Sequence, residues 1–217
     1  NFLPLFHTAG INLYTLPMLI AGGTNHVLRK FEVDRVVDAI IGGTCSVFFG
    51  VPAIYQALAL HPEFGALDFG RVRAWACGGA PLPLDLIRRF AAKGARVCNG
   101  MGMTETGPTV FLMDALNVEA KIGSVGKSQM LSEVRVVDPD GRELGPGAAG
   151  ELLIRGPNVT PGYWNNAAAT RAAFIGDGWL KTGDVAQRDA DGYYFIVDRI
   201  KDMIISGGEN VYPAEVE

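Results

Sequence analysis

Cysteine and concentrated basic charge are both scarce in this chain. Only three cysteines occur in 217 residues, Cys45, Cys77 and Cys98, each inside an apolar run and none in a Cys-x-x-Cys or Cys/His spacing that would hold zinc. They read as free core thiols of a reducing compartment, and the expected location is cytoplasmic. The 19 basic residues are outnumbered by 23 acidic ones and mixed among them, so no stripe exists to neutralise a phosphate backbone or an anionic lipid surface. Nucleic acid is not an expected partner. Long apolar runs are missing as well, the best candidates being cut at Gly22-Gly23 and Gly42-Gly43, and no integral membrane segment is expected. No signal peptide is visible and no initiator methionine is present. Asn1 leads straight into an apolar run and the chain stops at Ala214-Glu215-Val216-Glu217, a helix-like start with nothing after it. The chain is expected to be a fragment.

What is present is an ample apolar share, 48%, enough for a buried core. Residues 1–120 alternate helical patterns with short apolar runs, an α/β layout. Ile11 to Ile20 is apolar enough for a buried helix, and Thr24 to Leu28 resembles a strand. Val33 to Ile41 carries a helical apolar face that ends at Gly42-Gly43, before a strand at Ser46 to Phe49. Pro52 opens a helix. A strand at Val72 to Cys77, a helix at Leu84 to Lys93 with Leu84, Ile87, Phe90 and Ala91 inward, and a strand at Arg96 to Asn99 form a βαβ crossover, which implies a parallel sheet. After about Lys121 the texture changes. Val134 to Val137, a turn at Pro139-Asp140-Gly141, Glu151 to Ile154, and a hairpin around Ala190-Asp191-Gly192 predict a β-rich, barrel-like subdomain over residues 121–198, with one short helix near Ala167 to Phe174.

Two glycine-rich turns are expected beyond strand ends: Gly78-Gly79-Ala80-Pro81, and Gly100 through Gly107. Ligands of parallel sheets bind in the crevice beyond the carboxyl ends of the strands. Glycine permits close approach of backbone to a base or phosphate, a threonine hydroxyl can donate to phosphate, and a carboxylate can hold nucleotide magnesium. From spacing alone these glycines also read as plain tight turns, and Glu105 as a solvated acid.

The stretch NGMGMTETGP, Asn99 to Pro108, resembles the signature of the acyl-adenylate-forming superfamily, which includes acyl-CoA synthetases, peptide-synthetase adenylation domains and beetle luciferases. Three further blocks match in the family's order: Pro4 to Gly10; Gly178-Trp179-Leu180-Lys181-Thr182-Gly183-Asp184; and Gly192 to Glu217, containing DRIKDMIISGGENVYPAEVE. The resemblance implies an acyl-CoA synthetase that uses ATP, Mg2+ and coenzyme A to activate a small-molecule carboxylic acid, fatty or aryl. It places Gly78, Gly79, Ala80 and Pro81 on the adenine side, with Gly100, Met101 and Gly102 opposite. Thr104 would bind the α-phosphate and Glu105 the magnesium. Asp184 would accept from the ribose hydroxyls and Arg199 would add a nucleotide contact. Met101 stands where the family usually has an aromatic residue on the base.

Residues 199–217 would be the hinge and the start of a truncated C-terminal domain. Lys201 matches the pivot, and Gly207 and Gly208 the segment that faces the pantetheine arm. His7 would border the acyl pocket. No aspartate accompanies it to pair with an amino acid's ammonium, which favours a plain acid over amino-acid adenylation for a carrier protein. A non-catalytic nucleotide- or acyl-binding module is the third reading. Plainer readings stand beside these: Asp184 as a turn cap after Gly183, Arg199 as a surface partner of Asp198 or Asp202, His7 as a satisfied core residue, and Gly207-Gly208 as a hairpin turn. His26 and His61 read as structural. The family's phosphate loop and its C-terminal catalytic lysine lie outside these residues.

Overall fold

The apolar run Ile11 to Ile20 does not form the buried helix that its composition predicts. In the computed structural model, which describes residues 1–202, 204–206 and 209–211, it is a wide π-helical turn, Ala9–Thr15, running into the short helix α1 (Leu16–Ile20). Leu16, Leu19 and Ile20 are exposed, and the buried residue of the π turn is Gly10. The main chain does the packing here, since a Cβ on Gly10 would stand 2.0 Å from the Pro4 carbonyl oxygen. The strand expected at Thr24 to Leu28 is absent too. Asn25 donates its side-chain amide to the Thr15 carbonyl at 3.1 Å, and such local side-chain bonds compete with a ladder.

The chain divides into two units, Asn1–Gly123 and Ser124–Glu217. In the first, helix α2 (Val33–Ile41) precedes strand β1 (Val47–Gly50), and helix α3 (Pro52–Ala59) starts on Pro52, where the missing N–H costs nothing. Strand β2 (Ala74–Cys77), helix α4 (Leu84–Ala91), strand β3 (Val97–Met103) and strand β4 (Gly107–Leu112) follow. The sheet order is β1-β2-β3-β4, with the first two pairings parallel and the last antiparallel. Val37, Ile40, Tyr55, Leu58, Ile87 and Phe90 of the helices bury against Phe48, Trp75 and Val97 in one cluster. Each such large side chain contributes about 1.5–3 kcal/mol on leaving water. The two polar tips inside are satisfied: the Tyr55 hydroxyl donates to the Ala76 carbonyl at 2.8 Å and the Trp75 indole to Phe69 at 3.2 Å. On α4 the inward face is Leu86, Ile87 and Phe90, not one that includes Leu84. Pro83 caps the helix, so Leu84 occupies its first, exposed position.

The second glycine-rich segment is strand rather than turn as far as Met103. Gly102 makes this possible, because a Cβ there would lie 2.4 Å from the Pro108 carbonyl, and β4 has closed to that distance. Only Thr104–Thr106 turns, as a single 3-10 step. The buried Thr106 hydroxyl pins it by accepting from the Met103 N–H at 3.1 Å.

The second unit holds β5 (Lys127–Ser128), β6 (Glu133–Val137), β7 (Ala149–Arg155), α5 (Ala167–Ala173), β8 (Phe174–Ile175), β9 (Trp179–Arg188) and β10 (Tyr194–Arg199). β11 (Ile204–Ser206) and β12 (Glu209–Val211) pair with each other. The main sheet runs β10-β9-β7-β6, antiparallel throughout, with β8 beside β9. Aspartates make its turns, Asp138 accepting from the N–H groups of Asp140 and Arg142, and Asp189 from those of Asp191 and Tyr193. Irregularities in the β7–β9 and β9–β10 ladders curl the sheet into a half-barrel. On one face the Arg135 and Arg155 guanidiniums lie 4.4 and 4.6 Å from the centre of the buried Trp179 ring.

Candidate functional site

In the first unit, β1 and β2 end in register at Gly50 and Cys77, opposite Asn99 of β3, which runs on to Met103. A Cβ on the buried Gly78 would stand 3.2 Å from both the Gly100 carbonyl oxygen and the Phe49 ring, so these three residues pack closely where β1 and β2 end. Gly79 turns the chain away at φ +84°, and Ala80 and Pro81 lie exposed beyond it. Met101 and Gly102 continue the opposite wall as half-buried strand. Thr104 is exposed and Glu105 half-buried at the hairpin tip. The sequence reading thus has its two glycine segments together, and Phe49 is an addition to it.

Asn99 is the residue that the reading missed. It is 8% exposed, pairs with Cys77 across β2–β3, and its side-chain carbonyl oxygen has no hydrogen-bond partner. A buried amide oxygen left unpaired costs about 1–3 kcal/mol, so it marks a place where a donor belongs. An asparagine closing the apolar run Val97-Cys98, directly before the glycines, was the available signal. A cavity of about 450 Å³ in the same unit takes in Phe49, Tyr14 and Arg35 but none of Asn99, Gly78 or Gly100, so the orphaned atom and that cavity are separate features.

In the second unit Asp184 and Arg199 are cross-strand partners on β9 and β10. The Arg199 Nε stands 3.5 Å from the Asp184 carboxylate, whose side chain is 11% exposed against 63% for the arginine. Burial raises the Asp184 pKa above the ordinary carboxylate value, and Arg199 opposes that rise. Asp184 is a strand residue and not a turn cap, and the Arg199 side chain pairs with it across the strands. The missed signal was hairpin register around Asp191-Gly192.

His7 is exposed, and its Nδ1 accepts from the Ala9 N–H at 3.1 Å, so the reading of it as a core residue fails. His61 is structural, capping the Pro62–Ala66 turn and reaching Asp34 at 3.1 Å. Lys201 is exposed just past β10. Gly207 and Gly208 lie outside the described residues. Among the described residues no group of three metal-ligating side chains occurs.

Residues 1–164 match the family model described as AMP-binding enzyme. The chain belongs to the AMP-binding enzyme family. It is 46% identical over 214 residues to a feruloyl-CoA synthase of Amycolatopsis sp and 40% identical over 215 residues to an indoleacetate–CoA ligase of Aromatoleum aromaticum, in both cases over 99% of its own length. It spans 43% and 42% of those proteins. Among solved structures it superposes on o-succinylbenzoate CoA synthetase from Bacillus subtilis in complex with ATP and magnesium with a TM-score of 0.88, at 35% identity, covering 100% of this chain and 44% of the other. ATP-bound MatB from Rhodopseudomonas palustris gives 0.89, also at 35% identity, covering 42% of that chain. These likenesses fix the fold as the mixed α/β, half-barrel architecture of the adenylate-forming enzymes. Among the described residues no helix is long and apolar enough to cross a membrane.

Proposed function

We propose that the protein carrying this chain is an AMP-forming acyl-CoA synthetase of the reducing cytoplasm, which converts a carboxylic acid to its acyl-adenylate and then to the coenzyme A thioester. The observation that carries the reading is the orphaned side-chain oxygen of Asn99, directly before Gly100 in β3, together with the close approach of Gly78 to Gly100. A flat ligand bearing an exocyclic amine would satisfy that oxygen, and bare backbone lets such a ligand lie close; adenine is such a ligand. Met101 covers the base in place of an aromatic ring. Asp184 accepts from the ribose hydroxyls, and Arg199 holds that carboxylate ionised while adding its own donors. A carboxylate repels nucleophiles, so its oxygen first attacks the α-phosphorus of ATP and pyrophosphate leaves. The coenzyme A thiol then attacks the acyl carbon and AMP leaves. Thr104 donates to the α-phosphate, and Glu105 would hold magnesium, which would supply positive charge to offset that on the phosphates. His7 borders the acid, Lys201 is the pivot between the two steps, and Gly207 with Gly208 leaves room for the thiol arm.

The names of the relatives include ligases of aryl and fatty acids, which supports a hydrophobic or aromatic acid as substrate. Pyrophosphate exchange by the full-length protein with a panel of aryl, fatty and amino acids tests the reading. Exchange with aryl or fatty acids is expected, and Glu105→Gln should slow it about 100-fold or more while the far-UV spectrum is unchanged. Exchange supported by amino acids alone, or by none of the panel, overturns it.

A further inference from the structure

Thr182 occupies a break in the ladder next to Asp184. β7 and β9 pair through Ile154–Leu180 and Leu153–Lys181, and again through Glu151–Val185 and Gly150–Ala186. In between, Thr182, Gly183 and Asp184 stand opposite Leu152 alone, so β9 bows outward and the regular backbone bonds are interrupted. Leu152 is fully buried, so its carbonyl must be satisfied within the fold. The Thr182 hydroxyl donates to that carbonyl at 2.9 Å and accepts from the Asp184 N–H at 3.0 Å. One hydroxyl therefore repairs both sides of the break. Gly183 makes the bend at φ +72°, and its carbonyl accepts from the Ile200 N–H at 2.9 Å, just past Arg199. The Asp184 main chain is held from β7 through Thr182 and from β10 through its pairing with Arg199.

We propose that Thr182 is a positioning residue for the nucleotide, its hydroxyl fixing the bulge that aims the Asp184 carboxylate at the ribose hydroxyls. This rests on the reading of Asp184 as the ribose acceptor. A threonine that served only the fold would weaken every ligand alike when altered. One that aims Asp184 affects only ligands with ribose hydroxyls, and only while Asp184 is present.

The test is calorimetry on the full-length protein with AMP and with 2′,3′-dideoxy-AMP. Thr182→Val should weaken AMP about tenfold, leave the dideoxy nucleotide unchanged, and add nothing to Asp184→Asn, while Thr182→Ser should restore AMP binding. If Thr182→Val does not fold, Thr182→Cys, which keeps a weak donor and acceptor, is expected to show the same selective loss in smaller measure. Equal weakening of both nucleotides, an undiminished effect on the Asp184→Asn background, or AMP affinity unaltered by loss of the hydroxyl would each overturn the proposal alone. A wild-type protein that binds both nucleotides equally would instead overturn the role of Asp184, and this proposal with it.

Discussion

A carboxylate 11% exposed, with a mostly solvent-exposed arginine as its counter-ion, is a site kept at some cost to stability. Burial raises the Asp184 pKa, the largest cause, and Arg199 lowers it, the lesser one. A carboxyl whose folded pKa lies above its unfolded value contributes stability that is complete below the unfolded pKa and is lost as pH rises through the folded one. At neutral pH the ionised Asp184 therefore works against folding. Asp184→Asn removes that charge, and we expect its melting temperature at pH 7 to exceed that of the wild type. The difference should shrink as pH falls through the folded pKa toward the usual carboxylate range near 4. AMP affinity should fall about 10- to 100-fold in the same variant, because charge-assisted acceptors contribute about 1.5–3 kcal/mol. Thermal melts across pH 4–8 decide the matter; a lower melting temperature at pH 7 would mean that the arginine outweighs desolvation.

Among the elements, the β3–β4 hairpin carries most of the signature and departs most from what spacing predicts. The reading had a strand ending at Asn99 and a loop through Gly107, whereas strand continues to Met103 and only three residues turn. Glycine is a poor strand former by propensity, so Gly100 and Gly102 read as loop. Their place in a strand follows from how closely β4 approaches, which is a tertiary fact. Gly102→Ala sets a Cβ 2.4 Å from the Pro108 main chain, which cannot yield as a side-chain tip would. We expect it to lower stability by about 1–3 kcal/mol in denaturant unfolding, the usual range for overpacking. The neighbouring Gly107→Ala sets its Cβ in open space, and strain at φ +76° is its main cost. The comparison separates crowding from conformation.

Elements with strong periodicity or turn chemistry were legible. α2, α3, the parallel β2–β3 pair and the aspartate turns of the half-barrel stand where patterning put them, because those signals are local. The run Ile11 to Ile20 was misread since composition reports what a segment would gain by burial and not what lies against it. Gly78 and Gly100 were placed together from the βαβ unit. Asn99, Phe49 and Thr182 were not, because an orphaned oxygen, a ring edge and a repaired ladder exist only once strands are in register.

At the scale of the whole molecule, the three cysteines report on the integrity of the first unit. Burial pushes Cys77 up to about 12 and Cys98 to about 11, and raises Cys45. Thiolate is the reactive form, so these three thiols in native protein at pH 8 should react with an aromatic disulfide reagent far more slowly than in unfolded protein, where all three should react promptly. Rapid native labelling of Cys77 would show that the β2 end opens without global unfolding.

The tryptophans divide more usefully still. Trp75 lies in the aromatic core of the first unit, Trp179 buried against two guanidiniums in the second, and Trp164, 91% exposed, in water. Exposed indole emits at long wavelength whether the chain is folded or not, and so supplies only background. With Trp164→Phe as the parent, removing either of the other two indoles leaves a single emitter among these 217 residues, confined to one unit. The chain thus carries its own pair of optical labels, and the order in which the two units lose their cores can be followed by red shift, without any dye.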